Sequence, residues 1–166
     1  TLPTAVTGLK VLGARGFNLT MPDKNLMVSL CDELSTAARI IGAVNTVVNE
    51  DGRLVGHNTD GIGYMQSVKD AGYDIIGKKM TLLGAGGAAT AILVQAALDG
   101  LKEIAVFVRP TSRFYDRLVH TVEELTEITD CRIRICDFSD ADLLKKELAD
   151  SAILTNGTSV GMAPHE

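Results

Sequence analysis

Aromatic and sulfur-containing side chains are scarce in this chain, and long apolar runs are missing. It contains no tryptophan, and its three cysteines, Cys31, Cys131 and Cys136, lack the close-paired spacing of a zinc or redox site. We therefore expect no metal and reduced thiols, which are typical of a cytoplasmic protein. The apolar stretches end far short of the ~20 residues that a membrane-crossing helix needs, so we expect no membrane span.

An excess of positive charge is missing as well. The formal net charge of the 166 residues is −5, and acidic and basic side chains are interspersed. No basic face is predicted that would neutralise a phosphate backbone, so nucleic acid is not expected as a partner. What the chain does have is a 46% hydrophobic composition, enough to bury a core. The oligomeric state stays open.

The residue pattern changes near residue 60, which predicts two α/β units, one over residues 1–60 and one over residues 61–166. In the second unit, short apolar runs alternate with helical stretches. Strands are predicted at 80–83, 104–108, 132–136 and 152–155, with helices between them, the first over 88–98. Strands joined by helices lie parallel in one sheet with helices on its faces, so a doubly wound, Rossmann-type fold is predicted.

The first unit is predicted to mix short strands with helices. Pro22 suits a first helical turn, because its φ angle is already fixed near the helical value. Leu26, Leu30 and Leu34 then recur four residues apart. This spacing predicts a helix with one apolar stripe.

A hairpin and a connecting loop are predicted next. β-Branched residues over 43–49, a turn at 50–52 and a second short run after it are typical of a hairpin. A loop at 58–61 then leads into a helix predicted over about 62–71. We place the crossing between the two units in this loop.

A glycine-rich loop follows the first predicted strand of the second unit and opens its helix. Its residues are Gly84, Ala85, Gly86, Gly87, Ala88 and Ala89, which fit the pattern G-x-G-x-x-A. The first glycine permits a tight turn, the second lets backbone N–H groups approach a pyrophosphate, and the small Ala89 lets helix and strand pack closely. A turn that binds no ligand is the alternative, and the strand-loop-helix context favours dinucleotide binding.

The choice of dinucleotide depends on the segment after the second predicted strand. An acidic residue about 20 positions after the glycines would bind the ribose 2′-hydroxyl of NAD, and none lies there. Arg109 and Arg113 lie there instead, and their guanidinium groups suit the 2′-phosphate of NADP. We expect NADP, with two alternatives open: both arginines belong to a solvated loop, or Asp116 reaches inward.

Two charged residues are candidates for proton transfer. Lys24 lies in the turn after Asn18 and Thr20, and Asp60 lies in the loop between the units. A lysine, or a lysine–aspartate pair, can give a carbonyl oxygen its proton in an enzyme that reduces a ketone. A solvated lysine and an aspartate that caps a helix are the more ordinary explanations. Spacing alone leaves the choice open.

Five ordered segments carry a joint pattern that extends over essentially the whole chain. They are 18–24 (NLTMPDK), 42–46 (GAVNT), 58–61 (NTDG), 84–89 (GAGGAA) and 155–158 (TNGT). Because these five segments occur together and in this order, the chain resembles the shikimate/quinate dehydrogenase family. The resemblance implies a partial substrate-binding domain followed by a partial NAD(P)-binding domain, and a small-molecule substrate.

The resemblance also implies roles for individual residues. Lys24 and Asp60 would be the catalytic pair, and the loop of residues 84–89 would hold the pyrophosphate. The residues that would bind the substrate hydroxyls are Asn18, Thr20, Asn45 and Thr59. The implied reaction is reversible hydride transfer between NADP(H), or NAD(H), and shikimate or quinate, giving 3-dehydroshikimate or 3-dehydroquinate.

The sequence leaves substrate and function partly open. Residues 20–24 look more like the dual quinate/shikimate branch, whereas the two arginines look more like the NADP-using branch, from which Val108 and Pro110 depart. A non-catalytic sensor on the same fold, or another two-domain dehydrogenase with a different cyclic substrate, are the alternatives. The chain starts without Met and the family continues at both ends, so we expect a central portion that is poorly active alone.

Overall fold

Two four-stranded sheets and their helices make up the computed structural model, which describes residues 1–162; residues 163–166, the end of the predicted second unit, lie outside the described residues. The first part contains α1 (Leu2–Val11), β1 (Gly16–Asn18), a 3-10 helix (Leu26–Leu30), β2 (Glu33–Leu34), α2 (Thr36–Ile41), β3 (Thr46–Glu50) and β4 (Arg53–His57). The second part contains α3 (Asp60–Asp70), β5 (Lys79–Leu83), α4 (Gly87–Leu98), β6 (Glu103–Val108), α5 (Tyr115–Ile128), β7 (Arg132–Asp137), α6 (Ala141–Ala149) and β8 (Ile153–Asn156). The predicted α/β class is confirmed.

The first sheet is mixed, with strand order β1-β3-β4-β2. β3 and β4 form the predicted hairpin, joined by Asp51 and Gly52, whose φ angles of 51° and 93° suit a two-residue turn. The register aligns Asn18 with Thr46 across β1 and β3, and Thr46 with His57 across β3 and β4. The chain segments just outside these three strand ends therefore meet at one edge of the sheet.

The helix predicted from the spacing of Leu26, Leu30 and Leu34 is wrong. A 3-10 helix ends at Leu30, and Leu34 lies in β2, where it pairs in parallel with β4. The carboxylate of Asp32 accepts a hydrogen bond from the N–H of Leu54 (2.7 Å), which draws this segment into the sheet. The strand pairing and this hydrogen bond join residues about 20 positions apart in sequence, and they outweigh the helical preference that the local spacing predicts.

The second sheet is entirely parallel, with strand order β7-β6-β5-β8. This confirms the predicted doubly wound fold. β6, the next strand along the chain, pairs with one side of β5, and β8 pairs with the other side of β5. The carboxyl ends of β5 and β8 therefore border the crevice in which folds of this type bind ligands. Helix α6 packs on one face through Leu143 and Leu144, and α4 and α5 pack on the other.

Helix α2 joins the two sheets. Its Ile40 and Ile41 are buried in the core that the second sheet forms with α4 and α5. Arg117 of α5 donates a hydrogen bond to the carbonyl oxygen of Ile41, and Arg39 of α2 forms an ion pair with Glu124 of α5. The two parts thus share a hydrophobic core, and the boundary placed between residues 60 and 61 stays a prediction.

A partly buried ion network lies at the amino ends of the second sheet's strands. The side chain of Glu147 on α6 is 3% exposed, and its Oε2 lies 2.7 Å from Lys79 Nζ and 2.5 Å from an Nη of Arg134. Arg134 also contacts Glu103 (2.6 Å), and Lys79 pairs with Asp150. Burial raises the pKa of Glu147, but the hydrogen bonds from the two cations outweigh it and hold that pKa below its usual value. The network fastens α6 to the sheet.

The cysteines and the helix lengths give three further observations. Cys31, Cys131 and Cys136 are free thiols, and burial raises the pKa of the Cys131 thiol to about 11. Among residues 1–162, no helix has both the length and the apolar character to cross a bilayer. The same residues contain no group of three or more His, Cys, Asp or Glu side chains placed to hold a metal ion.

Candidate active site

Lys24 and Asp60 meet at the end of the first sheet where β4 leads into α3. Lys24 Nζ lies 2.8 Å from Asp60 Oδ2, although 36 residues separate the two in sequence. Their side chains are 21% and 42% exposed, so the ion pair is held by the protein and is still open to a ligand. The structure therefore brings together the two residues that the sequence analysis selected as candidates for proton transfer.

The turn that carries Lys24 is fastened to the loop before β3. The carbonyl oxygen of Lys24 accepts a hydrogen bond from the N–H of Val44 (2.9 Å). The side-chain amide of Asn25 donates to the carbonyl oxygen of Gly42 (2.7 Å), which lies in the left-handed region with φ of 63°. These bonds hold the backbone of Lys24 within reach of Asp60.

Asn45 holds the other oxygen of the Asp60 carboxylate. Its Nδ2 donates to Asp60 Oδ1 at 2.8 Å, and the residue is only 9% exposed. Its Oδ1 accepts from the N–H of Thr59 (3.0 Å) and from the hydroxyl of Thr59 (3.2 Å). The two carboxylate oxygens thus have separate partners, Lys24 on one and Asn45 on the other, which fixes the plane of the carboxylate.

Asn18 and Thr20 lie beside this group, at the end of β1. The side-chain amide of Asn18 donates to the hydroxyl of Thr46 (2.9 Å) and to the carbonyl oxygen of Asn45 (3.3 Å). Thr20 is exposed, and its carbonyl oxygen accepts from the N–H of Asp23 (3.0 Å), which begins the turn toward Lys24. Hydrogen bonds therefore link Asn18, Asn45 and Thr59 to Asp60, and Thr20 is an exposed residue two positions after the end of β1.

Asn58 is a residue of this site that the sequence analysis did not select. It is 3% exposed, and its Oδ1 accepts from the backbone N–H of Asp60 (3.1 Å) while its Nδ2 donates to the carbonyl oxygen of Ala43 (3.1 Å). An asparagine two residues before the start of a helix is a known turn signal, since its side chain bonds the backbone two residues on. Asn58 thereby positions the first residue of α3.

The glycine loop has the geometry that a phosphate-binding turn requires. Gly84 has a φ of 98°, and a Cβ on it would lie 2.9 Å from Cγ2 of Thr158, so only glycine fits. A Cβ on Gly157, at the end of β8, would lie 2.7 Å from the Cβ of Ala89. The small Ala89 therefore allows α4 to pack closely on the strand, as the sequence predicted.

The remaining residues of this loop form the amino end of α4. Gly86 precedes the first helical residue, Gly87, and Ala85 is buried while Gly87 and Ala88 are exposed. The first backbone N–H groups of a helix have no partner within it, and the helix dipole adds partial positive charge there. This end of α4 has the donors and the field that favour a phosphate group.

Arg109 and Arg113 follow β6 at the same edge of the second sheet as the glycine loop. Both are exposed, and the guanidinium carbon of Arg113 lies 4.7 Å from the ring centroid of Phe114. The ring of Phe114 comes within 4.0 Å of where a Cβ on Gly86 would lie. Arg113 is therefore held beside the loop. Asp116 is exposed in the first turn of α5 on the same segment.

Helix α3 connects the ion pair to the glycine loop, because it packs tightly on α4. A Cβ on Gly61 would overlap the carbonyl oxygen of Ala91 and lie 2.6 Å from the Cβ of Gln95. The hydroxyl of Tyr64, one turn further on, is hydrogen-bonded to Thr155 in β8. The amino ends of α3 and α4, which carry Asp60 and the loop, are thus fixed relative to each other.

This contact predicts different effects for two glycines of the same helix. Gly61→Ala should lower the free energy of unfolding by about 1–3 kcal/mol, because the added methyl group overlaps α4. Gly63→Ala is the matched control: a Cβ there meets nothing within 4 Å, and alanine should stabilise the helix by about 0.4–1 kcal/mol. Urea unfolding of both variants measures the difference, and equal stability would contradict the close packing described for Gly61.

Comparison with known proteins gives consistent matches. The sequence profile of the shikimate dehydrogenase substrate binding domain matches residues 1–47. A curated relative from Listeria monocytogenes, shikimate dehydrogenase (NADP(+)), is 53% identical over 165 residues, which are 99% of this chain and 56% of the relative. A quinate/shikimate dehydrogenase from Escherichia coli is 48% identical over 99% of this chain and 57% of its own. The chain thus spans about half the length of the curated relatives it matches.

Solved structures show the same similarity in three dimensions. A shikimate 5-dehydrogenase from Listeria monocytogenes, crystallised with shikimate and NAD, superposes with a TM-score of 0.93 at 53% identity, covering 98% of this chain and 56% of that one. A 5-ketofructose reductase from Gluconobacter, without ligand, superposes with a TM-score of 0.82 at 34% identity, covering 96% and 55%.

Proposed function

Since the chain belongs to the shikimate/quinate dehydrogenase family, we propose that the full-length protein catalyses reversible hydride transfer between NADP(H), or NAD(H), and shikimate or quinate, giving the 3-dehydro ketone. The observation that carries the proposal is the ion pair of Lys24 and Asp60, 2.8 Å apart and open to a ligand. A proton donor in this position is what reduction of a ketone requires.

The proposed mechanism assigns one role to each member of the pair. A reduced nicotinamide cofactor held by the loop of residues 84–89 would supply the hydride for the carbonyl carbon. The ammonium group of Lys24 donates a proton to the carbonyl oxygen, which becomes the hydroxyl of the product, and in the reverse direction its amine takes that proton back. Asp60 holds Lys24 through Oδ2 and, with Asn45 on Oδ1, keeps a fixed orientation in which it accepts a hydrogen bond from a substrate hydroxyl.

The proposed substrate pocket consists of polar side chains around this pair. They are Asn18, Thr20, Asn45 and Thr59, three of which are tied into one hydrogen-bond network with Asp60. Amides and hydroxyls offer both donors and acceptors, which suits a ring that bears several hydroxyl groups. Shikimate and quinate share such a ring, and the pocket supports both substrates.

The proposed cofactor site is the amino end of α4 with its glycine loop, residues 84–89. The unpaired N–H groups there would hold the pyrophosphate. Arg109 and Arg113 would bind the 2′-phosphate of NADP, and a curated relative is named for NADP(+). The Listeria structure with NAD supports NAD as a second cofactor of the same site. The cytoplasmic location expected from the thiols stays a prediction.

An assay of the full-length protein tests this proposal. Shikimate or quinate is mixed with NADP or NAD, and the absorbance of the reduced nicotinamide is followed. We expect turnover with shikimate, faster with NADP than with NAD. Binding of shikimate by calorimetry without any turnover would favour the sensor. Reduction of 5-ketofructose, the substrate named for the Gluconobacter relative, with added NADPH and no turnover of shikimate or quinate would favour the other type of dehydrogenase.

A further inference from the structure

The hydroxyl of Thr46 lies between two amides of the proposed substrate pocket. It accepts a hydrogen bond from Nδ2 of Asn18 at 2.9 Å and donates one to Oδ1 of Asn45 at 3.0 Å. Thr46 is the first residue of β3, directly opposite Asn18 in the register of the sheet. A single hydroxyl therefore connects the end of β1 to the residue that holds Asp60.

These bonds decide which atom each amide presents to a ligand. Both N–H groups of Asn18 are used, one by Thr46 and one by the carbonyl oxygen of Asn45 at 3.3 Å. The carbonyl oxygen of the Asn18 side chain is then its outward group, and it can only accept. Asn45 is held in the opposite orientation. Its Oδ1 accepts hydrogen bonds from the hydroxyl of Thr46 and from the backbone N–H and the hydroxyl of Thr59, and its Nδ2 donates to Asp60.

Flipping either amide would set like groups against each other. A flipped Asn18 would place its side-chain oxygen against the carbonyl oxygen of Asn45, and a flipped Asn45 would place its oxygen against the Asp60 carboxylate. The backbone N–H of Thr59 already favours the observed orientation of Asn45. Thr46 is the group that both amides share, because a hydroxyl can accept from one and donate to the other.

We propose that Thr46 is a positioning residue whose hydroxyl couples the amide orientation of Asn18 to that of Asn45: because its one proton goes to Asn45, it can only accept from Asn18, and the pocket then offers a hydroxylated ring an acceptor at Asn18 beside the carboxylate of Asp60. The inference rests on the proposed function, since it names Asn18 and Asn45 as substrate-binding residues. It predicts that a change at Thr46 weakens substrate binding and leaves cofactor binding unaffected.

The test compares two substitutions in the full-length protein. Thr46→Val keeps the shape of the side chain and removes the hydroxyl, whereas Thr46→Ser keeps the hydroxyl. For Thr46→Val we expect the KM for shikimate to rise about tenfold, as for the loss of about one hydrogen bond, and the KM for NADP to stay within about twofold. Thr46→Ser should restore the KM for shikimate to near the wild-type value.

A second measurement needs no substrate. In the ¹⁵N NMR spectrum, the side-chain amide signals of Asn18 and Asn45 should both move in Thr46→Val and return close to their wild-type positions in Thr46→Ser. Unmoved amide signals in Thr46→Val would overturn the inference, and so would equal increases of the KM for shikimate and for NADP. If the wild-type protein does not turn over shikimate, the proposed function fails, while the NMR result still decides whether Thr46 orients the two amides.

Discussion

Replacing Lys24 with alanine is expected to lower kcat for shikimate oxidation by about 10²–10⁴-fold, the usual contribution of a positioned proton donor or acceptor. The KM for NADP should change by less than about twofold, because the glycine loop and Arg109 lie at the edge of the other sheet. The fold should also tolerate the change, since the pair is partly exposed and such pairs contribute only about 0–1 kcal/mol. Steady-state kinetics and a thermal unfolding curve measure these effects.

Two control variants separate proton transfer from the loss of charge. Lys24→Arg keeps a cation near Asp60, but a guanidinium group does not release its proton, so this variant should stay nearly as slow as Lys24→Ala. Lys69→Ala removes an exposed lysine in the last turn of α3 and should leave kcat unchanged. Wild-type kcat in Lys24→Ala would remove Lys24 from the mechanism, and wild-type kcat in Lys24→Arg would reduce its role to charge.

The largest effect on stability is expected for Glu147→Gln. This change keeps the volume of the side chain but leaves Lys79 and Arg134 without their shared carboxylate in a site where Glu147 is 3% exposed. Lys79 keeps Asp150, and Arg134, whose side chain is 41% exposed, keeps Glu103, so the cost should lie at the lower end of that for breaking a buried ion pair, about 3 kcal/mol. Urea unfolding at neutral pH should show this loss. Asp142→Asn on the same helix is the matched control, because its side chain is 96% exposed and its effect should stay under about 0.5 kcal/mol.

The same carboxylate predicts a pH dependence. The pKa of Glu147 lies below its usual value in the folded chain, so its contribution to stability is present above the unfolded pKa of about 4.3 and is lost as the pH falls through the lower, folded value. Wild type should lose stability more steeply than Glu147→Gln in this acid range. A constant difference between the two proteins from neutral pH down to the acid transition would contradict the assigned role of Glu147.

The second half of the fold could be predicted from sequence because its signals are local. β5 and β6 are short, largely apolar runs, β7 alternates apolar and charged residues, α5 and α6 have an amphipathic period, and Gly84 and Gly100 mark the turns with positive φ angles. The segment around Leu34 could not be predicted in this way. Its conformation depends on pairing with β4, and no local pattern shows which distant strand a residue will join.

The candidate site was predicted in part for a similar reason. Lys24 and Asp60 belong to ordered segments with a recognisable pattern, and the structure brings them together across 36 residues. Thr46 and Asn58 lie in two of these segments but were not selected, because each contacts a neighbouring side chain or backbone group and has the pattern of an ordinary polar residue at a strand end or in a loop. Glu147 follows two lysines in a short helix, so its sequence pattern is that of a solvent-facing residue, and only the packing of α6 shows that it is buried.

The insertion of α2 into the core of the second sheet limits how such proteins can recombine. Ile40 and Ile41 contact partners on α4 and α5, and Arg117 closes the end of α2. A hybrid that joined the first 60 residues of one relative to the remainder of another would place α2 against unmatched neighbours. Inheritance of a new substrate specificity by exchange of that segment would therefore require matching changes in the half that contains the second sheet.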